Sequence, residues 1–564
     1  MLTVKDFPED RQVYFKNPNK QDLYRMPYHG LYHNTMKEFP EREYLVYIPE
    51  SAYLSTPAVL LIPDEQDSKL GFVENSGWAQ AADENGMLLF VTDPDVTEEE
   101  CCKMIDEMRL RECFTANKNY LYLAGYGTGA ARAQRLAMKN PSAFGGLVLA
   151  GACDVPEEEL KAMNEVPSEV PFCPLSQVSM PLWLLTEKLT ENQRAVLEYW
   201  KNANKVQPEP YVSQGSTWYL PSEYTEHSLI EELVGGKVRV KEGVSFNPYP
   251  SVSPDKIWKE QFSRYFRSTG IGNFNLKVWR TEEEAGVEFK TIEVDGYRRE
   301  WYQYIPSKMR QNPDYKAPLV VSCHGGSNLH KMFFPATDWI KVAEARGFMV
   351  VFPAAALRHF PKTNWLPHAA WNASANDEQL NDEKFIREMV NYLTEHYSID
   401  KGRIYATGHS MGSAMGQRLL LAMPDIFAAA GLTSGVLRGG FFGNYETPGI
   451  VEDHQRPIWI LMGEKDIGGG TPENNPDVAK YIEYWTKRDK TAAPEHPKTY
   501  QTGAYATRVY CNKDGVPMVH FSTVENKPHS CTAQDSWFLY DEFFSKFHLD
   551  EQGRSVYMNS DAAE

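Results

Sequence analysis

Tyr405-Ala-Thr-Gly-His-Ser-Met-Gly412 decides how this chain folds. Within it, Gly408-His-Ser-Met-Gly412 follows the strand-like run Arg403-Ile-Tyr-Ala-Thr407 and opens the helix-like run Ser413-Ala-Met-Gly-Gln-Arg-Leu-Leu-Leu-Ala-Met423. A G-x-S-x-G between a strand and a helix reads as a nucleophile elbow, with the serine on a strained turn. Glycines at 408 and 412 remove side chains that would collide with the adjoining strand and helix. The amide of Met411 has no partner within the helix and can donate to a developing oxyanion. The corresponding run in the first half, Tyr120-Leu-Tyr-Leu-Ala-Gly-Tyr-Gly-Thr-Gly129, has Gly127 where the serine would stand.

Other blocks repeat in the same order, which reads as a tandem duplication. Arg42-Glu-Tyr-Leu-Val-Tyr-Ile-Pro49 matches Arg299-Glu-Trp-Tyr-Gln-Tyr-Ile-Pro306, and Met180-Pro-Leu-Trp-Leu-Leu185 matches Arg456-Pro-Ile-Trp-Ile-Leu461. Short apolar runs such as 58–62, 88–91, 121–124 and 182–185 alternate with amphipathic ones. That alternation predicts two α/β-hydrolase-like units, each a mostly parallel sheet with helices on both faces. A chain of 564 residues is too long for one core. The expected division is an inactive unit over 1–270, a linker over 271–293, a catalytic unit over 294–549 and a tail over 550–564. Trp78 and Trp339 lie 261 positions apart, whereas Gly127 and Ser410 lie 283 apart, so the second copy has 22 extra residues. They fall around 354–379, a loop with His359, Asn364, Trp365, His368, Trp371 and Asn372. Loops at the carboxyl ends of strands build sites in such sheets, so this one is expected to touch substrate.

A serine nucleophile needs a base and an orienting acid, which follow it in the order Ser, acid, His. Asp466 stands in the loop after the strand-like Pro457-Ile-Trp-Ile-Leu461, with Glu464 its nearest rival. His529 lies in the loop before the last long helix; His520 is its rival but sits inside a strand-like run. The triad is therefore read as Ser410, Asp466 and His529. The oxyanion loop is His324-Gly-Gly-Ser327, with the amides of Gly326 and Met411 as donors and Gly325 as alternate. Candidate substrate contacts are His324, His409, Trp365, Trp371 and Asn372. In the first copy Pro63-Asp-Glu-Gln66 replaces the oxyanion loop, the acid position ends in Leu189, and His227-Ser228 echoes His529-Ser530. The first unit reads as a scaffold, an interface for a homo-oligomer or a lid.

Lys plus Arg number 58 and Asp plus Glu 76, a net charge of −18 that argues against nucleic-acid or anionic-membrane partners. The first residues have no apolar core of a signal peptide and no apolar run reaches spanning length. A cytoplasmic protein is expected, or a secreted one if a leader has been trimmed. The eight cysteines form no C-x-x-C pair and no cluster with histidine, so no metal site is expected. Cys511 and Cys531 could pair or remain buried thiols.

From Tyr297 to Phe547 the chain resembles the polyhydroxybutyrate-depolymerase-like esterases, relatives of feruloyl and acetylxylan esterases in the α/β-hydrolase superfamily. The likeness rests on Leu319-Val-Val-Ser-Cys-His-Gly-Gly326, Trp371-Asn372, Ile399-Asp-Lys-Gly-Arg-Ile-Tyr-Ala-Thr-Gly-His-Ser410, Met423-Pro-Asp-Ile-Phe-Ala-Ala-Ala430 and the run 457–466. It implies a cofactor-free Ser/Asp/His esterase acting on small or oligosaccharide-linked esters, feruloyl, acetyl or hydroxyalkanoate. A serine peptidase on the same fold and a catalytically silent binding module are the alternatives.

Overall fold

The computed structural model describes residues 2–6, 22–26, 29–110, 116–168, 173–222, 235–270, 273–358, 368–374, 380–439, 442–492 and 495–558. Two large mixed sheets dominate it, one of 11 strands within Val4–Lys241 and one of 10 within Val287–Val524. In the first, Gly30–Thr35, Glu43–Ile48, Leu88–Val91, Thr56–Ile62, Ala116–Tyr126, Leu147–Ala150, Leu182–Leu185 and Val238–Lys241 lie side by side. In the second, the same spatial order recurs as Val287–Val294, Tyr297–Tyr304, Met349–Pro353, Ala317–Cys323, Ile399–His409, Ala429–Thr433, Ile458–Gly463 and Pro517–Val524. The central strands of both are parallel, and their side chains are buried on both faces. This explains why these strands read as unbroken apolar runs rather than alternating ones. The α/β class and the two-sheet layout agree with the expectation from sequence.

The elbow glycines behave as steric arguments require. A Cβ on Gly408 would lie 2.3 Å from the carbonyl oxygen of Gly412, and one on Gly412 would lie 2.1 Å from that of Cys323. The helix Met411–Ala422 can therefore start directly against the strand Ala317–Cys323. Ser410 takes φ +55° and ψ −115°, the strained geometry that lifts its side chain off the sheet. The first unit keeps this turn, with Gly127 at φ +52° before the helix Gly129–Lys139.

The expected linker 271–293 differs from a free connection. It holds the second strand of the antiparallel hairpin Tyr265–Gly270/Asn273–Val278, the short helix Glu282–Ala285 and the start of the second sheet. Arg267 of that hairpin is buried and donates to the carbonyls of Phe144, Pro141 and Ser179, which stitches it to the first unit. The expected tail begins with structure as well, since Ser555–Tyr557 pairs with Phe547–Leu549. Neither feature has a hydrophobic periodicity long enough to announce it. Cys511 and Cys531 are both free thiols.

The two units share their cores. Leu329, Ala354, Ala356, Ala369 and Leu380 belong to the apolar cluster under one face of the first sheet, and Met332 and Ala336 to the cluster on its other face. Polar ties cross the same seam: Tyr120 Oη donates to the Met332 carbonyl (3.2 Å), and Leu357 N to that of Leu23 (3.2 Å). The described part of the 354–379 loop is thus clamped between the units. Among the described residues, no helix is long and apolar enough to cross a membrane.

Candidate active site

Strand order brings three distant loops to one end of the second sheet. Ser410 ends the strand Ile399–His409, Asp466 follows Ile458–Gly463, and His529 follows Pro517–Val524. Ser410 Oγ lies 2.9 Å from His529 Nε2, and His529 Nδ1 lies 2.8 Å from Asp466 Oδ1. Asp466 Oδ1 also accepts from the amide of Gly468 at 3.0 Å. Burial pushes the Asp466 carboxyl up, but the hydrogen bond and charge of His529, with the Gly468 amide, outweigh it and hold the group down at about 2. It is therefore a full carboxylate wherever the imidazole can serve as a base.

The rivals fall elsewhere. Glu464 is exposed and accepts from the amide of Asn526. His520 is buried between Trp459 and Phe543, with Nε2 3.2 Å from the carbonyl of Pro517. Burial drives its pKa down to about 3, so it stays neutral.

Two features that sequence reasoning missed hold the histidine loop. A Cβ on Gly463 would lie 2.1 Å from the carbonyl oxygen of Lys527, so only glycine lets the loop settle on that strand end. Lys527 itself is fully buried and pairs with Asp535 at 2.7 Å. Asp535 also accepts from the Thr532 amide and from Tyr505 Oη. In sequence, a lysine two residues before the base looks like an ordinary surface charge.

The glycine loop is organised from below. His324 Nε2 accepts from the amide of Ala355 at 2.9 Å, which leaves the proton on Nδ1 to donate to the Gly325 carbonyl at 2.7 Å. Burial lowers the His324 pKa to about 4 and preserves this neutral tautomer. Asn328 N donates to the same carbonyl. In a trans peptide N–H and C=O point oppositely, so the Gly326 amide is turned away from these anchors.

This geometry corrects three substrate-contact expectations. His324 is fully buried, Trp371 donates its indole N–H to the His324 carbonyl at 2.8 Å, and the amide of Asn372 donates to Asp382 at 2.7 Å. His324 and Trp371 support the glycine loop from behind, Asn372 is anchored on Asp382, and none of the three lines the cleft. Of the extra loop's described residues only His368 does so; Trp365, like His359 and Asn364, lies outside the described residues. His409 does line the cleft, and its Nδ1 is 3.3 Å from Thr433 Oγ1. Burial first, then the charges of His529, Lys527 and Lys118, hold its imidazole well below the usual range.

The cleft has a volume of about 530 Å³, with Ser410, Met411, Gly325, Gly326 and His529 on its wall. Ile467 and Phe442 of the second unit and residues 116–119 of the first also line it. Among the described residues, the corresponding turn of the first unit is built differently. Asp64 Oδ2 accepts from the amide of Thr128 at 2.8 Å, the position corresponding to Met411. A Cβ on Gly127 would fall 1.7 Å from that same carboxylate oxygen. The protein's own carboxylate thus fills the place of an oxyanion. His227 and Ser228 lie outside the described residues. Gly127→Ser in a Ser410→Ala background should show no fluorophosphonate labelling by intact-mass spectrometry; a label on residue 127 would contradict this reading.

Residues 304–450 match the family model described as Esterase PHB depolymerase, a span that carries the glycine loop and the elbow and ends before Asp466 and His529. A probable acetylxylan esterase A of Aspergillus clavatus is 26% identical over 179 residues, 32% of this chain and 53% of the relative. Feruloyl esterase B of Thermothelomyces thermophilus is 30% identical over 144 residues, 24% of this chain and 44% of the relative. The chain thus spans about half the length of the curated relatives it matches. Among solved structures, the acetyl xylan esterase from Aspergillus awamori aligns with 46% of this chain and 99% of its own, at 17% identity and a TM-score of 0.35. Through residues 304–450 the chain is similar to the esterases that the polyhydroxybutyrate-depolymerase family model describes, and to acetylxylan and feruloyl esterases.

Proposed function

We propose that this chain is a serine carboxylic-ester hydrolase that works through an acyl-enzyme. The observation that carries the reading is the unbroken relay Ser410–His529–Asp466, at 2.9 and 2.8 Å, opening into a cleft. His529 takes the proton of Ser410 as Oγ attacks the ester carbonyl, then delivers it to the departing alcohol. Asp466 fixes the imidazole tautomer and stabilises its charged form. The amides of Met411 and Gly326 donate to the tetrahedral oxyanion, and loss of one such donor typically costs ~3 kcal/mol of barrier. Water then repeats the attack and the acid leaves.

The relatives named as acetylxylan and feruloyl esterases support acetyl or feruloyl esters as substrates, and the family model supports short hydroxyalkanoate esters. The exposed Ile467 and the half-buried Phe442 offer apolar contact to an aryl or alkyl part. The test is a panel of aryl, feruloyl, acetyl-sugar and hydroxybutyrate esters with peptide anilides beside them. Turnover of at least one ester class and of no anilide is expected. Cleavage of anilides with esters untouched would replace this reading by a peptidase.

A further inference from the structure

The glycine loop is held from both units. Its own unit supplies His324, whose Nδ1 donates to the Gly325 carbonyl (2.7 Å). The second anchor on that carbonyl is the amide of Asn328, at 3.2 Å. Asn328 is in turn gripped from the other half of the chain: its Oδ1 accepts from Nδ2 of Asn117 (3.1 Å) as well as from the amide of Leu329 (2.9 Å). Asn117 is buried at the start of the strand Ala116–Tyr126 of the first sheet. Residues 116–119 stand there on the wall of the cleft, together with Gly325, Gly326 and Ser410.

Main-chain groups leave the two side-chain amides one orientation. A backbone N–H can only donate, so the atom that faces it must be the amide oxygen. The amide of Asn119 points at Asn117 Oδ1 (3.0 Å), and that of Leu329 at Asn328 Oδ1. Asn117 Nδ2 is therefore directed at Ser55 Oγ (2.9 Å) in its own unit and at Asn328 across the seam. The segment depends on such holding. Ser327, between Gly326 and Asn328, takes φ +60°, a left-handed conformation that a residue with a side chain keeps only where its surroundings impose it. Its amide donates to the carbonyl of Ala369 (2.9 Å), and Leu329 and Ala369 both sit in the apolar cluster of the first sheet.

We infer that Asn117 is a positioning residue for the oxyanion hole of the other unit: through Asn328 and the Gly325 carbonyl it sets the direction of the Gly326 N–H. The inference rests on the ester-hydrolase reading. The Gly325–Gly326 peptide is a rigid plane, with the anchored carbonyl on one edge and the donor on the other. If Asn328 slackens, the plane rotates and the N–H swings off the line to the oxygen of the tetrahedral intermediate. The bound ester hardly senses this. The oxyanion does, because that contact matures only in the transition state.

Four variants of the full chain test this. Asn117→Ala should lower kcat on an aryl ester about tenfold with KM unchanged, short of the roughly 10²–10³-fold that removal of a whole donor costs. Fluorophosphonate labelling of Ser410, whose phosphonyl oxygen would occupy the same hole, should slow by the same factor. Asn328→Ala should behave likewise, and the double variant should be no slower than either single one, because both break one chain of contacts. Tyr120→Phe is the control for the seam itself. It removes the bond from Tyr120 Oη to the Met332 carbonyl, which does not lead to Gly325, and should lower the melting temperature with kcat unchanged. A kcat and labelling rate in Asn117→Ala equal to the parent's would overturn the proposal, as would multiplied losses in the double variant or an equal loss in Tyr120→Phe. A parent chain that neither takes the label nor turns over an ester would remove the hydrolase reading and this one with it. A parent that labels, beside an unaffected Asn117→Ala, removes this one alone.

Discussion

Ser410→Ala should lower kcat on any ester the enzyme turns over by about 10⁶-fold, because nucleophile and base act as one unit. What remains would be the modest acceleration that an oxyanion hole and substrate binding give without a nucleophile, roughly 10³–10⁴ over water. The fold should not suffer. Ser410 Oγ makes its one hydrogen bond to His529, and the backbone strain at φ +55° is set by the flanking glycines rather than by the hydroxyl. The measurements are initial rates on an aryl ester and the mass of the fluorophosphonate adduct. The parent chain should take one label, on the peptide containing Ser410, and the variant none. A variant that keeps a hundredth of the parent rate would show that the relay is not the machinery.

The second large effect concerns stability. Asp382 is completely buried and accepts from Arg299 at 2.7 Å, from Arg358 at 2.9 Å and from the amide of Asn372 at 2.7 Å. Burial alone would raise its pKa, but Arg358 and Arg299 outweigh it and keep the group ionised. Arg299 also reaches across the seam to Tyr24 Oη at 2.9 Å, so one carboxylate ties the extra loop, the second sheet and the first unit together. Asp382→Ala takes the shared buried carboxylate away from both Arg299 and Arg358. Removal of one partner from a buried ion pair costs about 3–5 kcal/mol, which for halves or a whole of this length corresponds to a fall in melting temperature of roughly 3–8 °C. Because the Asn372 and Trp371 stretch supports the glycine loop, fluorophosphonate labelling of Ser410 should also slow. An unchanged melting temperature would mean that water or neighbouring carbonyls satisfy both arginines.

The grouping of Ser410, Asp466 and His529 was legible because each sits in a local context that chemistry dictates: glycines around Ser410, a loop after a strand for Asp466, a loop before a helix for His529. Chain order supplied the rest. The aromatic and amide residues of the extra loop were misread for a physical reason. A Trp or Asn near a site looks the same in sequence whether it faces substrate or the protein interior; Trp371 braces the loop beneath and Asn372 is held on Asp382. Lys118 and Asn117 gave no signal at all. They reach the cleft from the other half of the chain, through a strand whose own turn carries Gly127, and no spacing rule connects them to Ser410. The two-sheet layout followed from repeated blocks, whereas the hairpin at 265–278 was hidden because its strands are short and half polar.

Because the apolar clusters of the first sheet continue into Leu329, Met332, Ala354 and Ala369, neither half of this protein has a complete exterior of its own. A lineage that discarded the first half would expose those side chains to water and remove the Asn117 brace from the glycine loop. The first half therefore serves the second through its shape and packing, and a shortened chain would lose part of its own interior.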